Sequence, residues 1–463
     1  MKHVNRIVVV EANEIPIRVF RWYADQRPDS TISLILDSGR TTTTINGDDY
    51  SERELYPSQT WATMATGVPY ETHGVYWYAD AKPVDYPLYW KIAAKDRSVG
   101  VVGAIHSSPL DYADDLPGLA FCLPDVFAPD ARAIPGRLEP LQSFMIEMAK
   151  ENSRAVSSAG LKRYAEGVAA VRGAKVGLRT LASIGSTAAS IAVRRAPAER
   201  LRTAQFELTA DVFLGLLDEH DPDLAVLFTN HVAAAMHRYW AATFPDDWAE
   251  SSYTSEWIAK YSDEILHAVD ALDRMLSGVL ERCLATERVL VIVSSMGQTA
   301  ATSTLAPRTH AFIVRDPATF YATVGLTGSY TPRLGMAPQI SAEFQSEHEA
   351  RTSVERLNLD DEWLTIDRTG AVVTATYRPE IVTREKLLCG DVHRTPGELG
   401  GEVLAVDDGR SGDHDPRGVL FAVNGDNSVP FPETVDALEF APAVLQALGI
   451  EPLPHHVNPS FGL

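Results

Sequence analysis

Short, continuous runs of apolar and β-branched residues recur along this chain at wide spacing: Ile7 to Val10, Ile32 to Leu36, Val99 to Ile105, Leu224 to Phe228, Val289 to Val293, Ala311 to Val314 and Val419 to Val423. Helical patterns lie between several of them. Runs of this kind, apolar at every position rather than at alternate ones, suit strands buried on both faces, as in a largely parallel sheet covered by helices. The expected fold class is therefore α/β: a large doubly wound, mostly parallel sheet flanked by helices. Ligands of such sheets bind just past the carboxyl ends of the strands, so the residues that follow each run matter most for function.

Composition narrows the function classes. With 463 residues there is room for one large α/β domain with insertions or for two or three domains, and 45% hydrophobic against 22% charged residues is a globular balance. The 41 Lys and Arg against 62 Asp and Glu give 41 − 62 = −21, a field that repels polyanions, so nucleic acid is not expected as a general partner. A small phosphorylated ligand stays compatible with that field if local groups handle its charge. Three cysteines, Cys122, Cys283 and Cys389, none in CxxC spacing, exclude a disulfide framework and a cysteine-rich zinc site and suit a reducing cytoplasm. The apolar stretch after Arg6 is too short for a signal peptide, and no window approaches the roughly 18 apolar residues of a membrane span.

Two stretches interrupt the alternation of strands and helices. Arg154 to Arg202 is Ala-rich and helix-prone, with ten Lys and Arg against only Glu166 and Glu199. It reads as an inserted basic helical cap over the cleft (154–202), either a solvated hairpin on an acidic body or a contact for an anionic substrate, a membrane surface or a partner. Within Thr319 to Gly409, alternation over Trp363 to Tyr377 with a turn at Asp367 to Gly370 marks a small β-rich lobe (319–409).

Past the first run comes Glu11-Ala12-Asn13-Glu14, which delivers Glu11 to a strand end where a metal ligand or general base would sit, although a charged loop residue is ordinary there. The segment from Tyr56 to Gly74 places Thr60 by a helical pattern that ends at Gly67. A Thr at a helix start is most often a cap. The same helix end offers free N–H groups and positive dipole to an anion, the setting for a nucleophile that attacks phosphorus.

These residues resemble the alkaline phosphatase superfamily, and within it the phosphodiesterase and nucleotide pyrophosphatase branch. Pro57-Ser58-Gln59-Thr60, Thr66-Gly67 and His73-Gly74 match the spacing of the family's nucleophile segment; Gly412 to Leu420 looks like its metal-histidine strand, and Ala441 to Gly449 like its closing helix. The matches cover both ends of the chain and imply one domain over residues 1–463, with Thr60 in the nucleophile position and His414 as a metal ligand. Members of that branch hold two metal ions with three Asp and three His. Here Glu11 stands for the first Asp, Ser295-Met296 for an Asp-His pair, and the Asp of an Asp-x-x-x-His motif falls on Ala233 or Asn230, with His237 as its histidine. The expectation is a metal-poor site holding one divalent ion, zinc, or none, with His237, His414 and Glu11 as the ligands of any ion and His231 or Asn230 as possible helpers. Without a metal, Glu11 would be general base toward Thr60, lying within its reach, and His237 or His414 general acid, or the histidines are simply hydrogen-bonded in a cleft. Asn13, Asn230 and Ser295 would contact the ligand. The function implied is a phosphodiesterase-like enzyme acting on a phosphate ester or nucleotide-linked small molecule with reduced or no metal dependence, by hydrolysis or group transfer. The alternative is a non-catalytic relative that binds a phosphorylated ligand or a protein partner; oligomeric state stays open.

Overall fold

The computed structural model describes residues 6–48, 54–80, 86–150, 176–248, 253–302, 306–333, 335, 338–357, 363–378, 387–389, 392–425 and 431–463. Six strands form the frame: β1 (Ile7–Ala12), β2 (Arg40–Ile45), β3 (Val99–Val102), β4 (Leu119–Leu123), β5 (Leu224–Thr229) and β6 (Val289–Val293). With Leu420–Val423 and Thr434–Asp436 they make an eight-stranded sheet in the order Thr434–Asp436, β2, Leu420–Val423, β6, β1, β5, β3, β4. Only Leu420–Val423 runs antiparallel to its neighbours β2 and β6. The fold is the mostly parallel α/β sheet that the apolar runs imply.

Both faces are covered. Val8, Val10 and Ala12 of β1 join one core, packed with the helices Ile17–Gln26, Arg200–His220, His231–Thr243 and Glu264–Ala285. Ile7 and Val9 join the other, with the helices Pro57–Thr66, Tyr89–Ala93 and Phe440–Ala447. The period of two along a strand sorts the side chains between the faces.

Three of the runs take other forms. Ile32 to Leu36 lies in a helix, Thr31–Ser38, whose Ser30 side chain accepts from the Ser33 N–H at 3.1 Å as an N-cap. An apolar run of five is equally compatible with a buried helix turn. Ala311 to Val314 belongs to Arg308–Val314, which pairs outside the large sheet with Gly401–Asp408. The run at Val99 stops at Val102, before the left-handed Gly103. Conversely, β2 is built almost wholly of threonine, Arg-Thr-Thr-Thr-Thr-Ile, whose β-branched stiffness favours a strand without an apolar run.

Within the stretch 319–409, four antiparallel strands, Leu364–Thr369, Val372–Tyr377, Gln339–Phe344 and Tyr330–Arg333, form a separate sheet with its own core around Phe320, Tyr321 and Trp363. Thr369 pairs with Val372, so the hairpin turns on Gly370 and Ala371, with Gly370 at φ 57. Of the basic stretch, residues up to 175 lie outside those described. Its described part, 176–202, contains the helix Leu178–Ala192 and the first residues of Arg200–His220; the two helices pack together, with Ser183 Oγ bonded to Glu207 at 2.8 Å.

The helix Pro57–Thr66 begins with Pro57 at its first position, is buried along its whole length, and stops at Gly67 in the left-handed conformation (φ 65), whose N–H bonds the Thr63 carbonyl. A Cβ on Gly67 would lie 2.9 Å from His456 Cδ2, whereas one on Gly74, at φ 66, would meet nothing within 4 Å. Gly74→Ala is therefore expected to cost about 1–2 kcal/mol from the backbone alone, and Gly67→Ala measurably more. Chemical denaturation of the two variants checks this; equal losses would mean that His456 moves aside freely.

Candidate active site

β1 ends at Ala12, and two residues later the chain turns with Glu14 in the left-handed region (φ 60). Glu14 is 1% exposed. A carboxylate so buried needs partners for its charge, and three other segments bring them. The helix His231–Thr243 supplies His237, whose Nε2 lies 2.8 Å from Glu14 Oε2. A two-stranded ribbon, Gly297–Ala300 against Gly412–Asp415, places Gln298 opposite His414. From it His414 Nε2 comes within 3.5 Å of Glu14 Oε2, and the Gln298 side-chain nitrogen donates to the same oxygen. Asn13 Nδ2 donates to Glu14 Oε1 and to Asn230 Oδ1, both at 2.8 Å, while Asn13 Oδ1 accepts from Trp61 Nε1 at 2.7 Å.

The electrostatics follow from this packing. Burial works to raise the Glu14 carboxyl, but the charges and hydrogen bonds of His237 and His414 outweigh it and hold the group well below the usual carboxylate range. Burial works to lower the His414 imidazole, and the Glu14 charge and hydrogen bond outweigh it and raise it. His237 donates Nδ1–H to the Gly412 carbonyl at 2.9 Å, which leaves Nε2 facing Glu14. Glycine is required at 412, since a Cβ there would sit 2.6 Å from the Met236 carbonyl.

Glu14 Oε, His237 Nε2 and His414 Nε2 lie within 4.8 Å of one another. One carboxylate oxygen and two imidazole nitrogens, one of them oriented by a backbone carbonyl, are the donor set of a three-ligand zinc-type site with an open position, so the residues fit one divalent ion. His237, with a side chain 36% exposed, forms the open edge. At the expected second ion position Ser295 and Met296 are fully buried and offer no strong donor. Ser295 Oγ instead meets Thr60 Oγ1 at 2.8 Å.

Thr60 is fully buried in the first turn of Pro57–Thr66. It is not the cap: Tyr56 holds that position, and the Thr60 N–H already bonds the Tyr56 carbonyl. The helix start adjoins the acid–imidazole cluster, because the His414 ring centroid lies 6.1 Å from that of Tyr56, the residue before Pro57.

Glu11 is not part of that cluster. It still lies within β1, level with Phe228 of β5 and Val293 of β6, and its side chain follows Ile7 and Val9 to the inner face. There it accepts from the Tyr89 hydroxyl at 3.0 Å and shares no hydrogen bond with Thr60. Burial pushes it up to about 8, the Tyr89 bond acting the other way. His231 is likewise structural, stacked on Phe206 at 3.8 Å and bonded to Thr229 Oγ1 and the Ala268 carbonyl. Sequence reasoning passed over Glu14 and Gln298. The signal for Glu14 was the strand's period: inward side chains at 7, 9 and 11 leave the next free carboxylate past the strand end.

No family model matches the chain, and no curated protein matches it. Among solved structures it is similar to murine ectonucleotide pyrophosphatase/phosphodiesterase 5 in complex with AMP (11% identity, 98% of this chain and 97% of that chain, TM-score 0.40). It is similar also to phosphonoacetate hydrolase from Sinorhizobium meliloti 1021 in complex with phosphonoacetate (13% identity, 96% of each chain, TM-score 0.39). A third is alkaline phosphatase from the Antarctic bacterium TAB5 (11% identity, 97% of this chain and 99% of that chain, TM-score 0.38).

Glu11 gives a pH-dependent prediction. Its folded pKa of about 8 stands above the unfolded value near 4.5, so its contribution is fully present below pH 4.5 and is lost as pH rises through 8. Glu11→Gln should remove that loss, leaving the variant more stable than the wild type at pH 8–9 by an amount on the order of 4 kcal/mol. Denaturation midpoints at pH 5 and pH 9 check it; a variant less stable at pH 9 would refute it.

Proposed function

We propose that the protein is a phosphoester-acting enzyme that works with a single divalent cation held by Glu14, His237 and His414, on a small phosphorylated or nucleotide-linked substrate. The observation that carries this reading is the convergence of those three donors beside the helix start that bears Thr60. The resemblance of the Thr60 and His414 segments to the alkaline phosphatase superfamily supports it.

A bound divalent ion would supply Lewis-acid stabilisation of a phosphoryl oxygen. The chain's own residues do the rest. Asn13 and Gln298 hold Glu14 in place from both sides and fix the direction of its oxygens. Ser58 and Gln59, the second and third helical positions, carry N–H groups that have no partner within the helix and would be available to a phosphate charge. Thr60 is the nucleophile, its hydroxyl aligned by Ser295. Asn230 reaches the site through Asn13. Reduced metal dependence then means one cation in place of two.

A second reading, a non-catalytic relative that binds a phosphorylated ligand, is favoured by one feature: Thr60 is fully buried and its hydroxyl is already engaged by Ser295.

Metal analysis after gel filtration and hydrolysis of an aryl phosphodiester test the two together. The enzyme reading expects one equivalent of divalent metal, lost in Glu14→Gln, a fall in metal affinity of about 10–100-fold in Gln298→Ala, and turnover lost in Thr60→Ala and on chelation. Two tight equivalents, or undiminished turnover in Glu14→Gln, would overturn it. Saturable AMP binding without turnover in the metal-loaded protein would favour the binding reading.

A further inference from the structure

The helix Leu178–Ala192 turns an apolar side to solvent. Arg179 is the one charged residue among its 15. Ile184 and Thr187 are buried and Ile191 packs against the core, which fixes the inward side. At 3.6 residues per turn, the opposite side carries Leu178, Leu181, Ala182, Gly185, Ala189 and, just past the helix, Val193, all of them exposed. Leu178 is 84% exposed and Val193 63%. A surface helix ordinarily shows water its polar and charged side. Here large apolar side chains stand free at both ends of a side without charge, the mark of a surface that meets something.

The charges around this side say what it meets. Arg179 flanks it near the start of the helix, and Arg194 and Arg195 follow its end; all three are exposed and their guanidiniums form no ion pair among the described residues. The carboxylates beside the helix belong to Arg200–His220, on which it packs. Glu207 is bonded by Ser183 and paired with Arg274, and Asp211 accepts from the Gly177 N–H. Glu199, past the other end, acts on the Arg202 guanidinium, and Arg200 is taken up by Glu264. Two copies of the helix laid along one another would set arginines against arginines, or each end against its like, so a second copy supplies no counter-charge. The complement of this side is apolar and anionic together.

We propose that this side of Leu178–Ala192 docks the protein on an anionic phospholipid surface, with Leu178, Leu181 and Val193 entering the headgroup boundary and Arg179, Arg194 and Arg195 reaching lipid phosphates. A single convex helix with arginines at both ends of an apolar side suits a flat boundary, where long basic side chains keep their heads among the phosphates. The whole stretch 154–202 adds to the attraction, with ten Lys and Arg against two Glu. The chain's charge of −21 does not oppose contact, because screening confines the field of distant charges to about 8–10 Å at physiological salt. The contact is peripheral; among the described residues no helix is long and apolar enough to cross a membrane.

Sedimentation with phosphatidylcholine vesicles, with and without phosphatidylglycerol, tests the proposal. The wild type should partition onto the vesicles that contain phosphatidylglycerol and leave them at high salt. The double variant Leu178→Glu, Val193→Glu should partition at least about tenfold more weakly, and the triple variant Arg179→Gln, Arg194→Gln, Arg195→Gln by about as much. Both should melt with the wild type, since all five side chains are exposed. Leu178→Cys gives a second reading: a maleimide should label it quickly, above the wild-type background, without vesicles and slowly with anionic ones. Absent partitioning, or partitioning unchanged in the double variant, overturns the proposal. Slow labelling without vesicles overturns it too: at every protein concentration it means that the chain covers this side itself, and only at high concentration that a second copy does. Protection by polyglutamate and not by vesicles would assign the side to an acidic protein partner instead.

Discussion

The buried Glu14 carboxylate is the constraint around which the site is organised. Its charge persists because two imidazoles and a glutamine drawn from distant parts of the chain, with the neighbouring Asn13, are packed against it. An isolated carboxylate at this depth would take up a proton instead. Holding those partners together fixes the turn after β1, the face presented by the helix His231–Thr243 and the register of the ribbon that pairs Gln298 with His414. Even Gly412 serves this geometry, since its missing side chain lets the ribbon close on the helix and offers its carbonyl to His237.

Much of the frame was legible because buried parallel strands leave a direct trace in sequence. Five of the eight large-sheet strands, β1, β3, β5, β6 and Leu420–Val423, fall on apolar runs. What was not legible shows the limits of that trace. Thr31–Ser38 is apolar enough to pass for a strand, and its identity depends on a Ser30 cap and on packing against Glu264–Ala285. β2 presents the reverse case, a strand made of hydroxyl residues that the run criterion misses.

The same limit governs the site. Thr60, His237, His414, Asn13, Asn230 and Ser295 are all in or beside the cluster, because short motifs fix residues that sit just past strand ends or at helix starts. Glu11 and Glu14 were separable only by knowing where hydrogen bonding in β1 stops. The apolar run ends at Val10, but the ladder continues to Ala12, so Glu11 is a core residue bonded to Tyr89 and Glu14 is the residue delivered to the crevice. Gln298 carries no sequence signal: it acts through its position opposite His414 in a ribbon only four residues long on each strand.

The pairing of Thr60 with Ser295 bears on what chemistry remains. Where a second cation would otherwise hold the nucleophile's oxygen, this chain places a neutral hydroxyl, which orients Thr60 without lowering its proton affinity as a metal would. On the proposed reading, activation would come from the substrate side, with Glu14, His237 and His414 holding the cation that would supply Lewis-acid chemistry and the helix N-terminus offering its N–H groups. Position therefore counts for more than ionisation, and the small β-sheet contributes to it. Its strand Gln339–Phe344 bonds Gln339 to the Tyr56 hydroxyl at 2.8 Å, and Tyr56 both precedes the Thr60 helix and faces the His414 ring. The small sheet thus grips the residue that sets where the first turn begins, which links the placement of Thr60 to a sheet separate from the one that contains β1.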